Sequence, residues 1–175
     1  ILDLTRTTDL KKVASDLVSE NEPWALEVCA SSPEDVHVAA MNGAHRVELC
    51  AHWECGGLTS VESDIRSAAQ EGLPLYALIR PRAGHFTYND AEWNRMHTQI
   101  EASLSAGAAR VVVGGLNAAG RFELERVSKW VDEFGGHRLV IHRALDASTQ
   151  WEEDAEALRT LGVSRILSSG GEAEA

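Results

Sequence analysis

The chain has 175 residues, 44% hydrophobic and 25% charged, with 14 Gly and 4 Pro, a composition typical of one globular domain and foreign to disordered, collagen-like or disulfide-mini-protein classes. Sixteen Lys and Arg against 27 Asp and Glu give a formal net charge of −11, which repels phosphate backbones and anionic headgroups and argues against nucleic acid or membrane as partner. The longest apolar run, around Val111 to Leu116, is far short of the roughly 18 residues of a membrane helix; with no charged-then-apolar leader and only three cysteines, the expectation is a soluble intracellular protein with reduced thiols.

Residues 1–24 carry no strand pattern. Leu10, Val13, Leu17 and Val18 recur at helical intervals among Lys11, Lys12, Asp16 and Glu20, an amphipathic helix expected as an N-terminal packing or capping extension. From residue 25 onward short Val, Ile and Leu runs alternate with longer amphipathic stretches, the signature of βα units around a parallel sheet. The expected strands are Ala25 to Ala30, Arg46 to Ala51, Leu75 to Arg80, Val111 to Gly115, Leu139 to Leu145 and Arg165 to Ser169, each bounded by turn or cap residues. Ser32-Pro33-Glu34-Asp35 starts a helix, with Ser as N-cap and acids at the positive end of the dipole, and Asn42-Gly43 stops it. Asn89-Asp90-Ala91-Glu92 opens a long helix ending near Ala106-Gly107, and Trp151 to Leu161 forms another that closes at Gly162.

Two features repeat. Ala25-Leu26-Glu27-Val28-Cys29-Ala30 and Arg46-Val47-Glu48-Leu49-Cys50-Ala51 are nearly one hexapeptide used twice. Gly43-Ala44-His45-Arg46, Gly107-Ala108-Ala109-Arg110 and Gly162-Val163-Ser164-Arg165 each place a glycine turn before an arginine that starts a strand. Equal βα units, with no Gly-x-Gly-x-x-Gly turn after the first strand, favour an α/β fold of (β/α)8 TIM-barrel type over a doubly wound sheet. About six units fit into residues 25–175, so an incomplete barrel is expected, truncated or naturally shortened. Gly170 to Ala175 resembles a strand-to-helix turn with no helix after it. Two open edges promote association into oligomers, unless residues 1–24 cover one.

Alternation along a strand points Glu27 with Cys29, and Glu48 with Cys50, to one face. A carboxylate against the helix layer is costly, so this face is assigned to the barrel interior. The same parity turns Arg80, His142 and Asp146 inward. Cys29, Cys50, Arg80, Asp146 and Ser169 all fall at the C-terminal ends of their strands, where such barrels carry their sites. Suitable chemistry includes Glu27 or Glu48 as general base, His142 as acid or base, and Arg80 or Arg82 clamping a carboxylate or phosphate of a small anionic metabolite. A structural ion network within the barrel satisfies the same pattern.

The thiols carry a second reading. If the two hexapeptides pair in equivalent register, Cys29 and Cys50 lie about 4.8 Å apart at the backbone, a gap that two metal–thiolate bonds of about 2.3 Å span. Soft thiolates favour Cu(I), with zinc competing if further ligands join; His52 and Cys55 on the following loop are the nearby donors. Arg80 is expected to help keep the thiols ionised. Two core thiols that repeat because the strands do are the alternative. His37 and His97 read as solvated helix-face residues, and Trp24, Trp53, Trp93, Trp130 and Trp151 form no stripe.

Six phrases in order resemble one family: Leu26-Glu27-Val28-Cys29, Gly43 to Cys50, Gly56-Gly57-Leu58-Thr59, Ile79 to Tyr88, His142-Arg143-Ala144-Leu145-Asp146 and Leu167-Ser168-Ser169-Gly170-Gly171. Together they are similar to the motifs of the CutC copper-homeostasis family over about residues 25 to 171. That resemblance implies a TIM barrel, a cytoplasmic homo-oligomer linked to copper handling, and Cu(I) held by the cysteines at positions 29 and 50. On the enzyme reading, Arg82, Ser169 and Gly170 join the substrate site. The chain departs from the family pattern at Thr59-Ser60-Val61, where Thr-Pro-Ser is usual, and at Gly84-His85-Phe86, where Gly-Asp-Phe is usual. The segments that the family carries on its last two strands are absent.

Overall fold

The structure, a computed structural model, describes residues 25–169; the helix expected over residues 1–24, and Gly170, lie outside the described residues. Strands and helices alternate: β1 (Glu27–Ala30), α1 (Pro33–Met41), β2 (Arg46–Leu49), α2 (Glu62–Ala68), β3 (Leu75–Leu78), α3 (Asp90–Ser105), β4 (Arg110–Val113), α4 (Leu124–Phe134), β5 (Leu139–Ile141) and α5 (Trp151–Thr160). The strands form one parallel sheet in chain order. Consecutive parallel neighbours joined by helices are the repeating unit of a barrel, here incomplete.

The sixth expected strand, Arg165 to Ser169, is reduced to one parallel bridge between Ile141 and Ile166. Ile141 donates its N–H to the Arg165 carbonyl and Leu167 donates to the Ile141 carbonyl.

Side chains separate by parity. Val28, Ala30, Val47, Leu49, Leu75, Ala77, Val111, Val113, Leu139 and Ile141 are buried against the helices. The opposite face gathers Cys50, Tyr76, Leu78, Val112 and Val140 into a small cluster in the barrel interior. The interior therefore keeps few apolar layers and leaves both ends to polar residues. Trp93 on α3 and Trp130 on α4 pack with ring centroids 5.5 Å apart in the outer core.

The helix starts follow their cap chemistry. Ser32 Oγ accepts from the Asp35 N–H at 3.1 Å, and Asn89 with Glu92 forms a reciprocal capping box, each satisfying an orphan donor of the first turn. Helices α2 and α4 have no side-chain cap, and packing against the sheet holds them.

Register corrects one expectation. Glu27 lies opposite Arg46 and Cys29 opposite Glu48, so the two hexapeptides are staggered by two residues instead of aligned. Cys50 sits past the end of the ladder, its N–H donating to the Ala30 carbonyl at 3.0 Å. A curved sheet closing toward a barrel needs this shear between neighbours; equivalent sequence does not impose equivalent height.

Candidate functional site

A cavity of about 570 Å³ opens at the C-terminal ends of the strands, lined by Glu48, Cys55, Gly56, Leu78, Arg80, Phe86, His142, Arg143, Asp146, Ala147 and Leu167. Four residues singled out by parity, Glu48, Arg80, His142 and Asp146, thus line one space.

Arg80 follows β3 and is buried. Its Nη1 donates to the carbonyls of Cys55, Gly56 and Gly57 at 3.0 to 3.2 Å, and its Nη2 to the Gly84 carbonyl at 2.9 Å. The backbone N–H of Arg80 bonds Thr59 Oγ1 at 2.9 Å. Backbone carbonyls offset the desolvation of the guanidinium without neutralising it, so its positive charge is retained at the mouth. This cage needs glycine: Gly57 has φ +84°, and a Cβ there would meet Leu78 Cδ2 at 2.8 Å and Cys50 Sγ at 3.1 Å.

His142 follows β5. Its Nδ1 accepts the Ala144 N–H at 3.0 Å, which leaves the proton of the neutral ring on Nε2. That Nε2–H is buried with no hydrogen-bond partner among the described residues. Burial, reinforced by the Arg80 charge, lowers the His142 pKa to about 3, so the ring is neutral at ordinary pH. Gly114 makes room for it, since a Cβ there would approach the ring to 2.8 Å. Phe86 lies between the two groups, its ring centroid 5.2 Å from that of His142 and 5.2 Å from the Arg80 guanidinium carbon.

Glu48, on β2, is buried, and burial followed by the Glu27 charge raises its pKa to about 7. A carboxyl that gains and loses its proton near neutrality is suited to general acid–base work.

The remaining candidates lie elsewhere or have other partners. Asp146 accepts from Ser168 Oγ at 2.6 Å and from the Ser169 N–H at 3.0 Å, which ties the sixth segment to the mouth. Arg143 Nη2 donates to Ser169 Oγ at 3.3 Å. Arg82 turns away from the cavity to Glu92 and to the carbonyls of Ala83, His85 and Thr87. Glu27 pairs with Arg46 and Arg165 at the opposite end of the strands. Cys29 is pushed up to about 12 by burial and then by the charge of Glu48, and Cys50 to about 11 by the same causes. Arg80 does not ionise either thiol; its guanidinium is taken up by carbonyls. Among the described residues no three His, Cys, Asp or Glu side chains converge to hold a metal ion. His52 and Glu54 pair in the exposed loop, where Cys55 Sγ donates to the His52 carbonyl. Phe86 and Arg143 are lining residues that no sequence argument selected, because neither an aromatic in a loop nor an arginine after a histidine carries a spacing signature.

A βα sheet with a polar, glycine-shaped mouth defines a TIM-barrel-type protein with its site at the C-terminal ends of the strands. The CutC family model matches residues 24–175, and the chain belongs to the CutC family. It is 40% identical over 146 residues to a family protein CutC of Sinorhizobium medicae, covering 83% of this chain and 60% of that one. A family protein CutC of Pectobacterium atrosepticum is 39% identical over 146 residues, again covering 83% of this chain and 58% of the relative. The chain thus spans about 60% of the length of these relatives. The putative copper homeostasis protein CutC of Streptococcus agalactiae superposes with a TM-score of 0.78 at 29% identity, over 86% of this chain and 75% of that one. A dihydropteroate synthase of Yersinia pestis shares the fold, with a TM-score of 0.57 at 16% identity over 97% of this chain and 74% of that one. No helix among the described residues is long and apolar enough to cross a membrane.

Proposed function

We propose that the mouth cavity binds a small anionic metabolite and moves a proton on it, with Glu48 as the proton carrier. The observation that carries this reading is the locked, neutral His142 whose buried Nε2–H has no partner among the described residues. His142 lines the cavity, and a neutral imidazole donor there is suited to polarise a carbonyl and to stabilise the oxyanion that forms when a neighbouring carbon loses its proton. Glu48 takes that proton and returns it, and Arg80 supplies fixed positive charge that attracts the carboxylate or phosphate of the ligand. Saturation-transfer NMR against a panel of small 2-oxo and 2-hydroxy carboxylates tests it. At least one should bind, with affinity falling about twofold to tenfold in His142→Ala, as expected for a lost hydrogen bond between neutral groups. No binder in the panel, or a binder indifferent to His142→Ala, overturns the reading.

A second reading is supported by the thiols. Cys29 and Cys50 occupy one face of neighbouring strands, close enough for the Cys50 charge to raise Cys29, and a solved relative is described as a putative copper homeostasis protein. On this reading Cu(I) is the cargo, and binding must displace both thiol protons, so affinity rises with pH. Cu(I) titration against a competing chelator should lose the site in Cys29→Ser and in Cys50→Ser and keep it in Cys55→Ser. Unchanged binding in either of the first two rules it out. Either activity would suit a cytoplasmic homo-oligomer, in which a reducing compartment keeps the three free cysteines as thiols.

A further inference from the structure

We infer that the N-terminal ends of the strands form a second binding site, separate from the mouth, for an oxyanion of the phosphate type. Arg46 opens β2, Arg110 opens β4 and Arg165 opens the segment bridged to β5, each after a glycine turn. In a βα barrel one interior layer is built from alternate strands, so this repeat delivers three guanidinium groups to one level. They meet on a single ring: the guanidinium carbons of Arg46, Arg110 and Arg165 lie 5.8, 5.6 and 5.7 Å from the centroid of Tyr76.

Charge at this level does not balance among the described residues. One carboxylate, Glu27, accepts from Arg46 Nε and, at 3.3 Å, from Arg165 Nη1. Arg110 donates to the neutral Ser164 hydroxyl at 3.3 Å. Three cations face Glu27 and, opposite Tyr76 on β2, Glu48, whose carboxyl is ionised above about pH 7, so positive charge stays in surplus at this level in a chain whose formal net charge is −11. Tyr76 is buried, and its ring attracts each cation without neutralising any. The side chains of Arg46 and Arg165 keep 19% and 33% of their exposure, so solvent reaches the level. Planar guanidinium groups bind oxyanions through paired N–H donors, and a bound oxyanion offsets the positive charge that the carboxylates leave. The inference does not depend on the mouth chemistry, because Arg80 stands at the other end of β3.

Calorimetric titration of the 175-residue chain with inorganic phosphate, at ionic strength held constant with chloride and at a pH where phosphate is the dianion, tests it. The Arg80→Gln background removes the cation of the mouth. In that background one phosphate should still bind, and adding Arg110→Gln should weaken it about tenfold or more. Arg110→Lys, which keeps the charge and loses the fork, should fall between. Thermal stability supplies a readout that a merely structural arginine would not give: phosphate should raise the melting temperature of the parent and not of Arg110→Gln, and without phosphate at low salt Arg110→Gln should melt no lower than the parent. Phosphate that acts no more strongly than chloride, binding unchanged by Arg110→Gln, or phosphate binding abolished by Arg80→Gln alone overturns the site. If Arg110→Gln fails to fold, Arg165→Gln and Arg110→Lys carry the same comparison.

Discussion

Glu48 and His142 have proton equilibria displaced in opposite directions, and the sign of each reaches stability. The Glu48 carboxyl is raised from 4.5 to about 7, so between those values the native state holds a proton that the unfolded chain has lost, and stability falls as pH rises. His142 is lowered from 6.5 to about 3, so the unfolded chain binds the extra proton in that window and stability rises with pH. The two slopes oppose each other between pH 4.5 and 6.5. Chemical denaturation across this range should show that Glu48→Gln exposes the rising slope of His142. His142→Asn should expose the falling slope of Glu48, worth about 3 kcal/mol over its full window. Variants with the same pH profile as the parent would place neither group where the structure has it.

The helices show what sequence makes visible. The caps at Ser32 and Asn89 are local devices, legible in sequence and present in the structure. Helices α2 and α4 lack side-chain caps, and sequence signals located only the helices opened at Ser32 and Asn89 and the one ending at Gly162. The inward face of the strands was also legible, because parity is local; the two-residue stagger between β1 and β2 was not, because shear belongs to the closing sheet. The cage around Arg80 is built of backbone carbonyls, which leave no residue signature beyond the glycines that admit it. Asp154 on α5 was equally hidden. Fully buried, it accepts from Arg121, from the Phe122 N–H at 2.9 Å and from Ser148 Oγ, joining the loops that follow β4 and β5. Asp154→Ala should cost roughly 3 kcal/mol by leaving a half-buried arginine and a buried amide unpaired, against about 1 kcal/mol for the cap lost in Asn89→Ala. Urea denaturation of the two variants compares them, and equal small losses would remove Asp154 as the staple of these loops.

Across the whole molecule, the sheet separates two charged ends by a thin apolar interior. At the C-terminal end Glu48, Arg80 and His142 surround the mouth cavity; at the N-terminal end three arginines surround Tyr76. Tyr76, Leu78, Val112 and Val140 with Cys50 form the interior between them, thin enough for the Glu27 charge to reach Glu48. On the proposed function of the mouth, Glu48 moves a proton on a small anionic ligand held against His142. Proton NMR in D2O, following small 2-oxo and 2-hydroxy carboxylates incubated with the protein, measures this directly as loss of the C3 proton signal of a 2-oxo acid or of the C2 proton signal of a 2-hydroxy acid. The parent should wash deuterium into at least one of them well above the protein-free rate, and Glu48→Gln should return that rate to background; exchange that persists in Glu48→Gln, or none in the parent, would rule out Glu48 as the proton carrier.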